Sequence, residues 1–457
     1  MIFDLVISGG KLVTASTTYT SDIGINGETI AAIGEGLQGK EVIDARGKLV
    51  IPGAIDPHVH LEMPVGDTFS ADDWASGTLA AACGGVTTVI DFVEPEPDEV
   101  LIAALQKRLE SAKGKAVIDY GLHMTLRNDH PDTLNQIPAV VAEGCPSFKT
   151  YLTYEGFALS DKAFLNVLEA VGKARGMVLV HAENDAIVSY CTRQMIEKGK
   201  TSPGAHALAR PAIAEMAAIQ NSLAHAEVTG TPLYIVHIST AGGTSALEAA
   251  HLRGITAYGE TCPQYLTLTE DKYDLPNFEG AKYVCSPPLR QKNDQETLWR
   301  GLAKGVLQTV GSDHCPFNFN GQKDKGRDSF VNIPPGLPGI EIRLALLFTF
   351  GVKKGHISIN RWVDCCASSP ARLFGLYPRK GHLIPGADAD IVIFDPDKEI
   401  VVTKAVLHER VDYTPYEGIK LQGYPVMTIL RGKSLVIENE YIGTAAHGQF
   451  LKRQVYQ

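Results

Sequence analysis

Eight apolar runs of strand length alternate with helical patterns between Leu49 and Asn318, and this alternation narrows the possible folds more than any other feature of the chain. The runs are LVIPGAIDPHVH, GVTTVIDF, AVIDYGLHMTL, PSFKTYLTY, MVLVHAEN, PLYIVHIST, ITAYGETC and TVGSDH. After the fourth, LSDKAFLNVLEAVGKARG offers Ser160 as a cap, Phe164, Val167, Leu168 and Val171 as an apolar stripe, and Gly176 as a stop. A second helix is expected from Pro211 to Gly230, with Ile213, Ala217, Leu223 and Val228 along it. Eight such units over residues 49–318 match the ~250 residues of a (β/α)8 barrel better than an open doubly wound sheet. No G-x-G-x-x-G or G-x-x-x-x-G-K-[ST] follows any of these strands, so dinucleotide and P-loop readings lose their main support.

The two ends of the chain have a different texture. Short β-rich runs (LVISGG, KLVTA, DIGING, TIAAIG, EVIDA, KLVIPG) fill the first fifty residues, and ADIVIFDPD, EIVVTKAV and PVMTILRGKSLVIENEYIG return to that pattern near the other end. Two half-sets of strands most simply pair with each other. The expectation is an α/β chain: a (β/α)8 TIM-like barrel over residues 52–376, and a second, smaller β-sandwich domain built from residues 1–51 and 377–457.

Forty-two Lys and Arg against 52 Asp and Glu leave a formal charge of -10, with no basic run, which argues against nucleic acid or an anionic membrane as partner. The start, MIFDLVISGGKLVT, lacks the basic opening and long apolar core of a signal peptide, and Leu344 to Val352 is too short to span a bilayer. A cytoplasmic protein is expected. The eight cysteines contain no C-x-x-C spacing and read as reduced, mostly buried thiols, so a metal here would not sit on sulfur.

In a barrel of this kind the chemistry sits at the C-terminal ends of the strands. His58 and His60 close the first strand as H-V-H, and alternation along a strand points both imidazoles the same way, which makes an N,N clamp for a metal. Lys149 ends the fourth strand, His181 the fifth, His237 the sixth and Asp313 the eighth. A single strand-end His is more often structural; this many ligand-type residues at one end of five units point to a metal centre. Four imidazoles and a carboxylate exceed what one catalytic zinc needs, so two metals are the natural reading. Lys149 is then either a bridging carbamate, formed when a neutral amine adds CO₂, or the partner of Glu183 or Asp313 in an ordinary ion pair beside one metal.

PGAIDPHVHLEMP, AACGGVTTVIDF, SFKTYLTYEG, VHAEN, YIVHIST, ETCPQYLTL, KYVCSPPLR, TVGSDHCPF, IPPGLPGIEIR, PARLFGLYPRKG and GADADIVIFDP, taken in order, resemble the dihydropyrimidinase and hydantoinase branch of the amidohydrolase superfamily across essentially the whole chain. The resemblance implies a binuclear zinc hydrolase that opens 5-substituted hydantoins or dihydropyrimidines to N-carbamoyl amino acids, as a homodimer or homotetramer. It implies two zinc ions: the more buried on His58, His60 and Asp313, the more exposed on His181 and His237, bridged by carboxylated Lys149 (N6-carboxylysine) and a hydroxide. Asp313 would shuttle the proton, Tyr154 would donate to the oxyanion, and backbone groups at Ser286 and Pro335 would hold the ring amide. The family's usual I-P-N-G reads Ile333, Pro334, Pro335, Gly336 here; proline keeps the carbonyl acceptor but loses the N–H.

Selectivity is expected from loops Leu61 to Phe69, Val93 to Val100 and Tyr151 to Leu159, whose Leu61, Met63, Val65, Phe69, Tyr151, Phe157 and Leu159 would form an apolar pocket. By resemblance these loops make hydantoinases D-selective, and Ala158 would widen the pocket. Allantoinase and dihydroorotase are the alternatives. Dihydroorotase-like chains carry an Arg where Glu62 stands here, and a carboxylate beside the metals would repel an anionic ring. Mononuclear deaminases of the superfamily lack a strand-four lysine bridge. Non-enzymatic relatives with the fold but without the ligands form the last alternative, and all six ligand positions are filled in this chain.

Overall fold

The computed structural model describes residues 2–443 and 446–456; Met1, Thr444, Ala445 and Gln457, within the expected terminal spans, lie outside the described residues. The N-terminal strands are β1 (Ile2–Val13), β2 (Thr18–Asn26), β3 (Thr29–Gly34), β4 (Gln38–Asp44) and β5 (Leu49–Pro52). The barrel strands are β6 (Ala54–Val59) and, after a small hairpin of β7 (Pro64–Val65) and β8 (Thr68–Phe69), β9 (Val86–Val93), β10 (Asp119–Thr125), β11 (Ser147–Tyr151), β12 (Met177–His181), β13 (Leu233–Ile235), β14 (Ala257–Thr261) and β15 (Thr309–Val310). All eight expected runs form strands. They pair in parallel in the order β15-β14-β13-β12-β11-β10-β9-β6, and a parallel bridge between Val59 and His314 closes the ring. The last strands, β16 (Ile391–Val401), β17 (Lys420–Leu430), β18 (Lys433–Ile437) and β19 (Glu440–Tyr441), join β1 to β5 in one nine-stranded sheet. The two ends meet where β16 runs antiparallel to β5, over a core that includes Ile7, Ile23, Val50, Ile391 and Ile429.

Three local expectations change. LVIPGAIDPHVH is not one strand: it divides at Gly53, leaving Leu49–Pro52 in the terminal sheet and Ala54–Val59 in the barrel. A Cβ at Gly53 would stand 2.2 Å from the Thr87 hydroxyl oxygen, so only glycine passes the chain so closely from one sheet to the other. The helix Ala212–Thr229 turns its small residues inward, burying Ala214, Ala218 and Ala226 with Leu223, while Ile213 and Val228 face solvent. Small side chains allow close approach to the neighbouring helix Ala241–Leu252.

The third change concerns the end of the chain, expected in the sandwich. Residues 448–456 leave the terminal sheet and run beneath the barrel, where Tyr120 of β10 donates its N–H to the Gln449 carbonyl (3.0 Å) and accepts from Leu451 N–H (2.8 Å). Leu451, Phe374 and Leu376 pack on Ile55, Ile90 and Leu179 of the barrel interior, closing apolar surface that the strands' N-terminal ends would leave open. Arg453, 4% exposed, donates to Ser147 Oγ at 2.7 Å. Among the described residues no helix is long and apolar enough to cross a membrane.

Candidate active site

At the C-terminal mouth of the barrel, His58 Nε2 and His60 Nε2 stand 3.2 Å apart, and each is 3.3 Å from Asp313 Oδ1. Donor atoms ~2.0–2.1 Å from one tetrahedral metal lie ~3.3 Å from each other, so this triangle has the spacing of three metal ligands. Beside it, His181 Nδ1 and His237 Nε2 approach to 3.0 Å. A buried carboxylate fixes one ring of each pair, His58 and His181, from behind. Glu260 Oε1 lies 2.7 Å from His58 Nδ1, and Glu183 Oε2 lies 2.8 Å from His181 Nε2. Such outer partners hold the proton on the far nitrogen and leave the facing lone pair free. Burial pulls His58, His181 and His237 below the usual imidazole range, so all three are neutral ligands. Among the described residues, His60 Nδ1 and His237 Nδ1 are buried without a hydrogen-bond partner. With the far nitrogens of His58 and His181 protonated, their facing lone pairs need a proton or a cation from the neighbouring side, and a metal supplies it to both rings of a pair at once. The donor set therefore fits a metal.

Two shells support these ligands. Glu260 is anchored by Tyr234 OH (2.9 Å) and His237 N–H (3.1 Å), and burial lifts its carboxyl to about 7. Arg210 Nη1 meets Glu183 Oε2 at 2.5 Å; despite burial, Arg210 and His181 hold the Glu183 carboxyl down at about 2. Burial also acts on Asp313, but His58, His60 and Lys149 outweigh it and lower its carboxyl. Lys149, 1% exposed, forms no ion pair among the described residues; its Nζ lies 5.2 Å from the Phe92 ring centroid and 5.1 Å from that of Tyr151. The ion-pair alternative for Lys149 thus has no partner, and burial lowers its amine to about 8. Backbone strain gathers here too: Tyr154, His237 and Asp313 all hold positive φ, at 80°, 40° and 50°.

The six expected ligands, with Tyr154, Ser286 and Pro335, line a single cavity of about 460 Å³, within the range of small-molecule sites. The Tyr154 ring sits 5.1 Å from that of His181 with the Arg210 guanidinium 5.0 Å from its centroid, and burial raises its phenol to about 12, so it keeps a proton to donate. Ser286 Oγ is 3.4 Å from His206 Nε2. The segments carrying Ser286 and Pro335 are tied together by Lys323, whose Nζ donates to Val284 O (2.9 Å) and Pro334 O (3.0 Å).

The profile of the Amidohydrolase family matches residues 49–435. The chain belongs to that family. Within it, the D-hydantoinase of Geobacillus stearothermophilus is 46% identical over 455 residues, 99% of this chain and 97% of that protein. The solved D-hydantoinase of Bacillus sp. AR9 superposes with a TM-score of 0.97 at 45% identity, covering 99% of this chain and 100% of that one. Dihydropyrimidinase from Brevibacillus agri NCHU1002 gives 0.97 at 43% identity, with 99% of each chain covered. These place this amidohydrolase in the hydantoinase and dihydropyrimidinase branch. Amidohydrolases are metal-dependent, in keeping with the His58, His60 and Asp313 group.

Three expectations for the amidohydrolase pocket change. Of its apolar candidates only Met63, Val65, Tyr151 and Phe157 line the cavity; Leu61 and Leu159 are buried behind it and Phe69 faces solvent. Ala158 does not line it either: its N–H and that of Phe157 both donate to Tyr154 O, and this tight turn presents Phe157. Glu62 also lies outside the lining, 3.7 Å from Arg108 Nη1, so it exerts no repulsion from the pocket wall, and only the lack of an arginine at 62 argues against dihydroorotate. Glu94, Arg127, Arg210 and Lys323 were missed because each gains its meaning from a partner distant in sequence. Positive φ at Tyr154 and Asp313 likewise has no signal in residue type.

Proposed function

We propose that the chain opens the ring of a hydantoin or dihydropyrimidine to an N-carbamoyl amino acid, with two zinc ions and with D-selectivity. It is a cyclic amide hydrolase by its relatives. The observation that carries the finer reading is the buried Lys149, without an ionic partner, on the same cavity floor as four imidazoles and Asp313. Its neutral amine, favoured by burial, suits conversion to the bridging carbamate.

His58, His60 and Asp313 would hold one zinc ion and His181 and His237 the other, with Lys149 as a carboxylated ligand, and the bound metals would supply the charge that polarises the ring carbonyl and acidifies a water. Asp313, ionised at neutral pH, accepts a proton on the attacking side and returns it to the leaving ring nitrogen. Tyr154 donates its phenolic proton to the carbonyl oxygen as negative charge develops there. Carbonyls near Ser286 and at Pro335 accept from the ring N–H groups, a role proline retains. D-selectivity is supported by the hand of the named relatives.

The test compares kcat/KM for hydantoin, 5-phenylhydantoin, dihydrouracil, allantoin and dihydroorotate, with chiral analysis of the N-carbamoyl product of 5-phenylhydantoin and elemental analysis of the protein. A hydantoin or dihydrouracil should lead, with D product from 5-phenylhydantoin and about two zinc ions per chain. A lead by allantoin or dihydroorotate, or predominantly L product, would overturn the corresponding part.

A further inference from the structure

We propose that Arg127 sets substrate choice by receiving a carbonyl or carboxylate oxygen on the ring substituent; this deepens the cyclic-ureide reading and rests on it. Glu94 and Arg127 follow the adjacent strands β9 and β10, which places them side by side at the mouth of the barrel, and both line the cavity. Met63, Val65 and Phe157 supply apolar lining to the same cavity, Phe157 directly against Arg127. The two charged residues are not equally spent. Glu94 Oε1 accepts from Thr125 (3.0 Å) and Tyr151 OH (3.5 Å), and its Oε2 accepts from Arg127 Nη2 (3.5 Å). That carboxylate has partners on both oxygens and little left to offer.

Arg127 is the reverse. Its guanidinium carbon lies 4.0 Å from the Phe157 ring centroid, which fixes the plane of the fork. A guanidinium has five N–H donors, and among the described residues Glu94 is its single side-chain partner. Its Nε is buried and, among the described residues, has no hydrogen-bond partner. A purely apolar substituent closing over this wall would strip water from donors that nothing replaces, whereas a planar oxygen pair satisfies them in the fork geometry. Glu94 balances the charge of Arg127, so the wall presents an oriented dipole, which suits a carboxamide as well as a carboxylate. The inferred substituent has an apolar stem against Met63, Val65 and Phe157 and an acceptor at its tip.

Hydantoins with carboxymethyl, carbamoylmethyl and isobutyl groups at carbon 5 have nearly the same shape and differ in acceptors. In the wild-type enzyme at least one acceptor-bearing ring should exceed the isobutyl ring in kcat/KM by about tenfold or more. Arg127→Met should bring that ratio to about one, and Arg127→Lys should retain part of it. Ratios measured within one preparation cancel any loss of folded or metal-loaded enzyme. A lead for the carboxymethyl ring assigns the site to anions and a lead for the carbamoylmethyl ring to neutral acceptors, both within the proposal. An isobutyl ring opened as well as either by the wild type, or a ratio untouched in Arg127→Met, would overturn it. Unsubstituted hydantoin separates the two levels: if it is opened while the ratio fails, only the role of Arg127 falls, and if it is not opened, the cyclic-ureide reading falls first.

Discussion

Lys149 and Lys380 are equally buried, each 1% exposed, yet they occupy opposite ends of the barrel in opposite surroundings. Lys149 faces the catalytic mouth with no carboxylate in ion-pair range among the described residues, and burial lowers its amine to about 8. Lys380 sits where β10 begins, at the seam with the terminal sheet, and its Nζ meets Asp119, Asp390 and Asp388 at 2.6, 2.7 and 2.9 Å. Burial opposes its charge too, but those carboxylates outweigh it and raise its pKa. Desolvation alone therefore does not decide what a buried lysine becomes. With carboxylates around it, the ammonium is a structural tie; without them, the amine is available for chemistry.

The same substitution at both positions tests this contrast. Lys149→Met should lower turnover by about 10³-fold or more and reduce bound metal, because the bridge is lost. In the metal-free protein it should leave stability unchanged or raise it, since a buried polar amine without an ionic partner is replaced by an apolar chain of similar length. Elemental analysis and denaturant unfolding of the metal-free protein check both halves. Retained metal with near-normal turnover would break the comparison at its catalytic end.

Lys380→Met should do the opposite. Removing the ammonium leaves Asp390 without a side-chain cation and Asp119 and Asp388 with only Arg431 and Arg379 against three carboxylates, a loss of about 3–5 kcal/mol of stability, with kcat per folded molecule little changed. Because its pKa is raised above the unfolded ~10.4, the contribution is fully present below that value and is lost only as pH climbs through the folded pKa, so it is flat across the neutral range. A stability loss under 1 kcal/mol, or a turnover defect that follows the metal, would show that the seam is not held by this cluster.

The sequence made the mouth of the barrel far more legible than the seam. His58, His60, Lys149, His181, His237 and Asp313 stand at the ends of apolar runs, and strand periodicity with barrel geometry is enough to bring them together. The seam has no comparable register. Lys380 meets Asp119 261 residues away, and Arg453 reaches Ser147 across 306, with no periodic pattern connecting the pairs. Gly53 was hidden for a related reason: its need for a bare Cα comes from Thr87, a neighbour only in the folded chain. Residue type and spacing report local rules, while buried polar pairs are set by which elements come to touch.

Lys323 falls between the two lysines and gives the smallest effect. It is fully buried and has no carboxylate in ion-pair range among the described residues, but its Nζ donates to Val284 O and Pro334 O, carbonyls of the segments that carry Ser286 and Pro335. Val284 O also accepts from Gly336 N–H at 3.0 Å, so one carbonyl joins both segments to the lysine. Burial lowers its pKa to about 7, against ~10.4 in the unfolded chain. Between those values the unfolded chain binds more protons, so this group makes stability rise with pH; below 7 its cost is complete, and above ~10.4 it is gone. Lys323→Met removes that slope together with the two hydrogen bonds. The variant should compare best with the wild type near pH 6 and progressively worse toward pH 9 in denaturant unfolding. Its KM for a cyclic ureide should rise by about threefold to tenfold with kcat nearly constant, because the carbonyls it positions hold ground state and transition state alike. Parallel stability curves for the two proteins would mean that hydrogen bonding to the two carbonyls keeps Lys323 protonated, which would place it with Lys380 as a structural tie rather than with Lys149.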